Sequence, residues 1–271
     1  RDMNMAVISI PGQYVRYQAE KLLKNGINIM IFSDNVSVED EIHLKKTGAE
    51  KELLVLGPDC GTAIINGIPL GFANVVRKGS IGVVAASGTG TQEVTTIIHK
   101  AGEGITQAIG LGGRDLKKEV GGIMMLESIK MLEKDPGTKV ICIVSKPPDA
   151  EIEEKVLKFI KTCRKQFVII FLGSKIKRED SKNIFFTDTL EAAALKAIAV
   201  LRGKKYSPKT NLSAQFLKLA LKENKKHTKN QRPRHKAPAG RYVRGLFSGG
   251  TLCDEAMFVL EKSFGGIHSN I

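Results

Sequence analysis

The sequence is short of the residues that build metal sites and disulfide frameworks. Its four cysteines, Cys60, Cys142, Cys163 and Cys253, are far apart and form no CxxC pair. Its five histidines form no HxH or HExxH motif. Zinc sites and disulfide frameworks depend on such spacings, so the sequence predicts reduced thiols and no protein metal site.

Long apolar runs and an N-terminal targeting signal are also absent. No stretch approaches the roughly 20 uncharged apolar residues of a membrane span, and the first residues lack the basic and apolar regions of a signal peptide. We therefore expect a cytoplasmic protein without membrane contact. The chain begins with Arg1 and stops soon after a Gly-Gly pair, so we also expect an internal fragment of a longer protein.

Acidic residues are scarce in one segment only. Residues 204–241 contain 12 Lys and Arg against one acid, Glu223, whereas residues 1–203 contain 28 against 24, in a chain of net charge +14. A solvated linker and a surface for nucleic acid or membrane are the alternatives for such a segment. Because RGG repeats, stacking aromatics and groove-reading motifs are missing, we interpret it as a linker and expect no nucleic-acid partner.

Apolar runs alternate with amphipathic segments, which indicates strands alternating with helices. Strands are predicted at residues 6–10, 27–32, 53–56, 81–85, 105–111, 140–144 and 167–172, with helices between most of them and a last helix over 190–201. Short turns in such an alternation predict parallel sheets of the α/β class. The part that starts after Arg77-Lys78-Gly79 has a flavodoxin-like layout.

Two turns rich in glycine and hydroxyl groups follow predicted strands. The stronger one is Ser87-Gly88-Thr89-Gly90-Thr91, where N–H groups and hydroxyls at a helix N-terminus can hold an anion such as phosphate. A tight chain reversal with hydroxyl capping is the alternative. Residues 243–247, the Ser248-Gly249-Gly250-Thr251 turn and the helix after it repeat this scheme, which predicts an internal duplication.

Charged residues also follow strand ends, where ligands bind in open α/β sheets. Gly112-Gly113 leads into Arg114, and Lys146 follows another strand. Both cations are candidates for pairing with phosphate or carboxylate, and an ordinary surface position is the alternative for each. Asp59 and Cys60 are also candidates for ligand contact. The alternatives are a turn cap for Asp59 and a small buried residue for Cys60. No histidine is placed as a catalytic base.

Three motifs follow one another along the chain: Gly57-Pro58-Asp59-Cys60-Gly61, Ile81-Gly82-Val83-Val84 with Ser87-Gly88-Thr89, and Gly110-Leu111-Gly112-Gly113-Arg114-Asp115. In this order they resemble the motifs of succinyl-CoA synthetase α subunits. Further segments resemble FdrA-type proteins of the same acyl-CoA synthetase superfamily, among them Phe32-Ser33-Asp34-Asn35-Val36, Phe72-Ala73-Asn74-Val75 and Val144-Ser145-Lys146-Pro147-Pro148. The resemblance covers nearly everything except the linker.

The resemblance implies a domain order. Residues 1–75 are expected to be the later part of a Rossmann-like CoA-binding domain, and residues 76–203 a flavodoxin-like ligase domain with a parallel sheet. Residues 204–241 are the basic linker, and residues 242–271 begin a second, duplicated ligase-like domain.

The resemblance also implies site residues and cofactors. CoA or a nucleotide is expected beside Pro11, Gly12, Asp34, Asn35, Val36, Asp59 and Cys60. Phosphate or an acyl phosphate is expected beside Ser87, Gly88, Thr89, Gly90, Thr91, Gly112 and Gly113. Catalytic residues stay open, with Arg114 and Lys146 as candidates.

Two departures from the synthetases bear on function. Residues 183–188 offer no histidine where the synthetases carry a phosphorylated one, and Lys146 stands in what is there an acidic loop. The resemblance thus implies an FdrA-type acyl-CoA ligase that uses phosphate chemistry without phosphohistidine. A subunit of an oxamate carbamoyltransferase, forming carbamoyl phosphate from oxalurate in allantoin breakdown, and a non-catalytic CoA- or nucleotide-binding subunit are the alternatives. The expected partners are a small acyl or phosphate substrate and subunits encoded by neighbouring genes, or further copies of the chain.

Overall fold

The computed structural model describes residues 3–174, 176, 178–206, 244–264 and 266–269. The chain divides into two compact units, Arg1–Lys205 and Tyr206–Ile271. Apart from residues 204–206, the predicted linker lies outside the described residues.

A small parallel sheet opens the first unit. Its elements are β1 (Met5–Ile8), α1 (Val15–Lys24), β2 (Asn28–Ile31), α2 (Val38–Glu50) and β3 (Val55–Leu56), with strand order β1-β2-β3. Helix α1 buries Val15, Ala19 and Leu23, which are four residues apart and therefore lie on one face. Ser37 begins α2 as an N-cap, because its hydroxyl accepts a hydrogen bond from the Asp40 amide.

A seven-stranded sheet makes up the rest of the first unit. Its strands are β4 (Thr62–Ile65), β5 (Ile68–Gly71), β6 (Lys78–Ala85), β7 (Ile105–Gly110), β8 (Val140–Ser145), β9 (Gln166–Phe171) and β10 (Ile184–Thr187). The helices are α3 (Gly88–Lys100), α4 (Ile123–Lys134), α5 (Ala150–Ile160) and α6 (Leu190–Leu201). Helices α3 and α6 pack together, as do α4 and α5, so the sheet is covered on both faces.

The strand order confirms the predicted flavodoxin-like layout. The sheet runs β10-β9-β8-β6-β7-β4-β5, and β6 to β10 are all parallel to their neighbours among these five. Counted from β6, this is the doubly wound order 2-1-3-4-5. All six residues of β8 are buried, as expected for a strand covered on both faces.

The antiparallel hairpin β4–β5 was not predicted. It joins the edge of the second sheet through β7, so that sheet is mixed rather than wholly parallel. Its turn holds Asn66 and Gly67 at positive φ, and an Asn-Gly pair between apolar runs is a strong hairpin signal. The hairpin precedes the predicted domain boundary at residue 75, which stays a prediction.

The second unit corrects one expectation. Helix α7 (Gly250–Phe264) begins within the predicted Ser248-Gly249-Gly250-Thr251 turn. Residues 244–247, which were predicted to lie in a strand, are irregular, and Leu246 is fully exposed. A strand needs a neighbouring strand to satisfy its backbone groups, and the described part of this unit contains no strand with which residues 244–247 could pair.

Candidate functional site

The strand order places a topological switch point between β6 and β8 of the second sheet. Strands β6 and β8 are neighbours, yet the chain leaves β6 toward β7 on one side and later returns to β8 on the other. In open α/β sheets, ligands bind at such a switch point, beyond the carboxyl ends of the strands. Strand β6 leads there into Ser87 and α3, and β8 leads into Lys146, whose side chain is exposed.

Ser87 is the N-cap of α3. Its hydroxyl accepts a hydrogen bond of 3.0 Å from the Gly90 amide, and its carbonyl accepts one of 2.6 Å from the Thr91 hydroxyl. The capping interpretation of this turn is thereby confirmed. The amides of Gly88 and Thr89 open the helix, where the backbone has no intrahelical acceptor, and a methyl group on Gly88 would meet only the Thr62 hydroxyl, at 3.7 Å. Anion binding at this turn stays a prediction.

The β7 loop (residues 111–115) lies beside that turn. Its first amide, on Leu111, donates to the Ala85 carbonyl at the end of β6. Gly112 has φ +77° and a Cβ on it would lie 2.2 Å from the Pro58 carbonyl oxygen, so only glycine fits. Gly113 is exposed, and a Cβ on it would meet nothing within 4 Å. Backbone atoms of Gly113 therefore face open space.

The loops at the carboxyl edge of the first sheet are equally close-packed. A Cβ on Gly12 would lie 2.3 Å from the Asn35 carbonyl oxygen and 2.5 Å from that of Asp34. The β2 loop (residues 33–36) is held through Ser33, whose hydroxyl accepts from the Ile10 amide at 2.9 Å. Asn35 is exposed at φ +52°. The structure thus brings Gly12 together with Asp34 and Asn35. Cofactor binding at Pro11, Gly12 and residues 34–36 stays a prediction.

Asp59 and Cys60 join the same edge but differ in exposure. The Asp59 amide donates to the Ser33 carbonyl at 3.0 Å while its side chain is exposed. Cys60 is buried, its thiol donates to the Thr62 carbonyl at 3.6 Å, and burial raises the pKa of the thiol to about 11. A thiol in this state is neutral near pH 7, so Cys60 acts as a small packing residue and not as a nucleophile.

Four charged side chains that the sequence did not single out as a group meet between the two sheets. Lys45 of α2 is fully buried, and its ammonium group donates to Glu41 Oε1 at 2.8 Å, to Asp115 Oδ1 at 2.9 Å and to the Leu111 carbonyl at 2.9 Å. Asp115 also accepts hydrogen bonds from the amides of Met124 and Met125 and so caps α4. With Arg114 these side chains form a charge tetrad of two carboxylates and two cations.

Arg114 closes the tetrad toward solvent. Its Nη2 donates to the Val36 carbonyl at 2.8 Å, and its Nε lies 2.8 Å from Glu41 Oε2. The second contact is an ion pair without hydrogen-bond alignment, because Oε2 has no aligned donor. The side chain is 42% exposed, whereas the other three are at most 1% exposed. Arg114, a candidate catalytic residue, therefore contacts a buried carboxylate and the β2 loop.

Sequence reasoning missed Lys45 and Glu41 for a physical reason. The i,i+4 spacing of an acid and a lysine on a helix predicts an ion pair, but ordinarily one on the solvated face. Lys46, the next residue, is exposed. Nothing in the local pattern distinguishes the two lysines, because burial of Lys45 depends on Asp115, 70 positions away.

The structure also bears on metal ions and membranes. Among the described residues, no group of three or more His, Cys, Asp or Glu side chains is close enough to hold a metal ion. In that part of the chain, no helix combines the length and apolar content needed to cross a bilayer. All four cysteines are free.

Comparison with known proteins adds a family match inside the first unit. A family model described as "CoA binding domain" matches residues 76–173. The match covers β6 to β9, the segment that was expected to be ligase-like, and it includes Ser87, the β7 loop and Lys146.

Curated relatives match over longer stretches. "Uncharacterized protein YahF" of Escherichia coli K12 is 47% identical over 270 residues, which is all of this chain and 50% of that protein. The "Succinate--CoA ligase [ADP-forming] subunit alpha" of Methanothermobacter thermautotrophicus is 25% identical over 176 residues, 64% of this chain and 58% of that subunit. The chain therefore spans about half the length of these relatives.

A solved structure agrees in fold. The ATP citrate lyase of Methanothrix soehngenii, in complex with citrate and coenzyme A, has a TM-score of 0.57 at 15% identity, over 97% of this chain and 50% of that one. At this identity the likeness concerns the fold alone. The expected α/β fold is confirmed. Residues 76–173 match the family model of a CoA binding domain, and the chain is similar in sequence to succinate–CoA ligase α subunits.

Proposed function

We propose that this chain is the part of an FdrA-type acyl-CoA ligase that holds CoA and the phosphoryl group during acyl transfer. The observation that carries the proposal is that the loops at the carboxyl edges of both sheets adjoin. Arg114 contacts the β2 loop, and Gly112 packs against Pro58, so the expected CoA and phosphate sites form one continuous edge.

The part of this edge that is expected to bind phosphate has hydrogen-bond donors and open space for a ligand. The first amides of α3 point out of a helix N-terminus, where the helix dipole favours an anion. Gly88 and Gly113 leave open space for a ligand to approach the backbone. Lys146, at the end of the neighbouring strand, supplies a cation. We assign the phosphate contact to Lys146 because it directly follows β8, the neighbour of β6 at the switch point of the sheet.

The reaction that this arrangement serves is exchange between an acyl phosphate and CoA. The thiol of CoA attacks the acyl carbon, the bond from that carbon to the phosphate oxygen breaks, and inorganic phosphate leaves with the negative charge and takes up the proton that the thiol releases. Helix-terminal amides and Lys146 stabilise that charge as it develops. The reverse direction forms the acyl phosphate from acyl-CoA and phosphate.

The phosphoryl group is handled here without a phosphohistidine. Residues 183–188 form the approach to β10 and the strand itself, and they contain no histidine. The same observation favours a second candidate, carbamoyl transfer from oxalurate to phosphate as a subunit of an oxamate carbamoyltransferase. Either activity is proposed for the whole protein in assembly with further subunits or copies, in the cytoplasm.

The test measures binding of inorganic phosphate and of CoA by calorimetry to the full-length protein and to Gly113→Val. The new side chain fits without strain into the open space where phosphate is proposed to lie, so the fold is kept. We expect phosphate affinity to fall at least about tenfold, equivalent to ~1.4 kcal/mol. Gly137→Ala is the matched control, because Gly137 is an exposed glycine preceding β8, at the opposite edge of the sheet.

Phosphate binding that is equal in Gly113→Val and wild type would exclude the proposed phosphate site. Phosphorus NMR then separates the two candidate activities. A carbamoyl phosphate resonance from oxalurate and phosphate without CoA indicates the transferase, whereas an acyl phosphate formed only from an acyl-CoA indicates the ligase.

A further inference from the structure

Both ends of the β7 loop are anchored on helix α2. Lys45 binds the Leu111 carbonyl at the start of the loop and the Asp115 carboxylate at its end. Gly112 and Gly113 lie between these two fixed points. The position of the loop that is proposed to hold phosphate is therefore set by a side chain of the first sheet's helix.

The β2 loop is tied to the same helix from the other side. It ends at Val36, directly before the N-cap Ser37 of α2. The Val36 carbonyl accepts the Arg114 hydrogen bond, and Arg114 directly follows Gly113 in the chain. One guanidinium group thus spans from the phosphate side of the edge to the CoA side.

The geometry of Arg114 shows which contact orients it. The bond to the Val36 carbonyl has hydrogen-bond geometry, whereas the approach to Glu41 Oε2 has only ion-pair distance. A lysine in its place can keep a charge near Glu41 but cannot present the planar fork that reaches both partners. The charge balance and the loop tether can therefore be separated by substitution.

We propose that Arg114 is a positioning residue that tethers the β2 loop to the β7 loop, so that a ligand bound at one loop raises the affinity at the other. The inference rests on the proposed function, since it assigns CoA and phosphate to these loops. A ligand that orders the tether from one side reduces the ordering cost for the ligand on the other side.

The first arm of the test needs no ligand. Hydrogen exchange is followed in Arg114→Lys, in wild type and in the control Arg16→Lys. Arg16 also bridges to α2, through Asp40, and is 46% exposed, close to the 42% of Arg114. We expect faster exchange in residues 34–36 and 112–113 of Arg114→Lys alone, with unchanged exchange in β8. Unchanged exchange in both loops would overturn the tether.

The second arm measures CoA affinity by calorimetry with and without saturating phosphate. In wild type we expect phosphate to raise CoA affinity at least about fivefold, and in Arg114→Lys we expect that ratio to approach one. Each ligand alone should bind the variant within about twofold of wild type. If Arg114 only supported the fold, its substitution would not abolish the effect of phosphate on CoA affinity while leaving the affinity for each ligand alone unchanged.

The outcomes distinguish the two claims. A ratio that persists in Arg114→Lys, or a wild-type ratio of one with both ligands bound, overturns the coupling and leaves the proposed function intact. Failure of wild type to bind either ligand overturns the proposed function and the coupling, while the exchange arm still decides whether Arg114 holds the loops.

Discussion

Helix α2 carries two charge clusters with nearly equal distances and opposite surroundings. In the charge tetrad, Lys45 lies 2.8 Å from Glu41 Oε1 and is fully buried. On the outer face, Arg16 lies 2.9 Å from Asp40, and Glu20 lies 2.8 Å from His43, with side chains 22% to 46% exposed. Distance alone would rank the clusters as equals.

Burial separates them. Charges removed from water lose their hydration, so each depends on its partner, and removing one leaves the other buried without compensation. Exposed pairs are hydrated whether or not they meet, and salt screens them. The difference teaches that the tetrad constrains the loops at the carboxyl edge, whereas the outer cluster lies at the surface and contributes little to stability.

The largest expected effect is that of Lys45→Met. The substitution keeps the apolar stem but leaves the carboxylates of Glu41 and Asp115 short of a cation and frees the Leu111 carbonyl. We expect the free energy of unfolding to fall by about 3–5 kcal/mol. Denaturant titration of the protein measures it. Lys46→Met, one position along the same helix and exposed, is the control and should leave stability nearly unchanged. Equal losses for the two variants would refute the comparison.

An intermediate effect concerns the thiols. Burial raises the pKa of Cys60 to about 11 and also raises the pKa of Cys163, but Cys60 is buried whereas Cys163 is partly exposed to reagents in solution. We expect iodoacetamide to label Cys163 much faster than Cys60 at neutral pH, as peptide mass spectrometry would measure. Labelling of Cys60 first would contradict the buried placement.

The raised pKa of Cys60 also makes the stability of the fold decrease at high pH. Because the folded pKa of Cys60 lies above the unfolded one, the folded state keeps a proton that the unfolded chain releases. The stabilisation that the protonated Cys60 thiol contributes to the free energy of unfolding is complete below pH ~9 and is lost as pH rises toward ~11.

The smallest expected effect is that of Arg16→Ala. Its hydrogen bond is the main reason that the pKa of Glu20 is lowered, yet the group is solvated. We expect a loss of stability below about a fifth of that for Lys45→Met, together with a rise in the Glu20 pKa toward its ordinary value. NMR titration of the Glu20 carboxyl and thermal unfolding measure the two. A loss matching that of Lys45→Met would erase the distinction between the clusters.

Much of the fold could be predicted because it depends on interactions between residues that are close in sequence. The apolar runs that became β6, β8 and β9, and the Ser87 cap of α3, depend on side-chain periodicity and on hydrogen bonds within a few residues. The hairpin β4–β5 also has a local signal, the Asn66-Gly67 pair in its turn. The predicted strand before α7 failed because a strand also requires a neighbour.

The candidate site divides in the same way. Local chemistry identifies Gly12, Gly112 and Gly113 as turn residues at strand ends, and close backbone approach requires glycine at Gly12 and Gly112. That these turns form one edge was decided by tertiary structure, because strand order sets β6 beside β8, and the approach of the loop after β7 to the loop after β3 sets Gly112 against Pro58. The burial of Lys45 and the reach of Arg114 to Val36 were decided by tertiary structure alone, because both depend on contacts across more than 60 residues of chain.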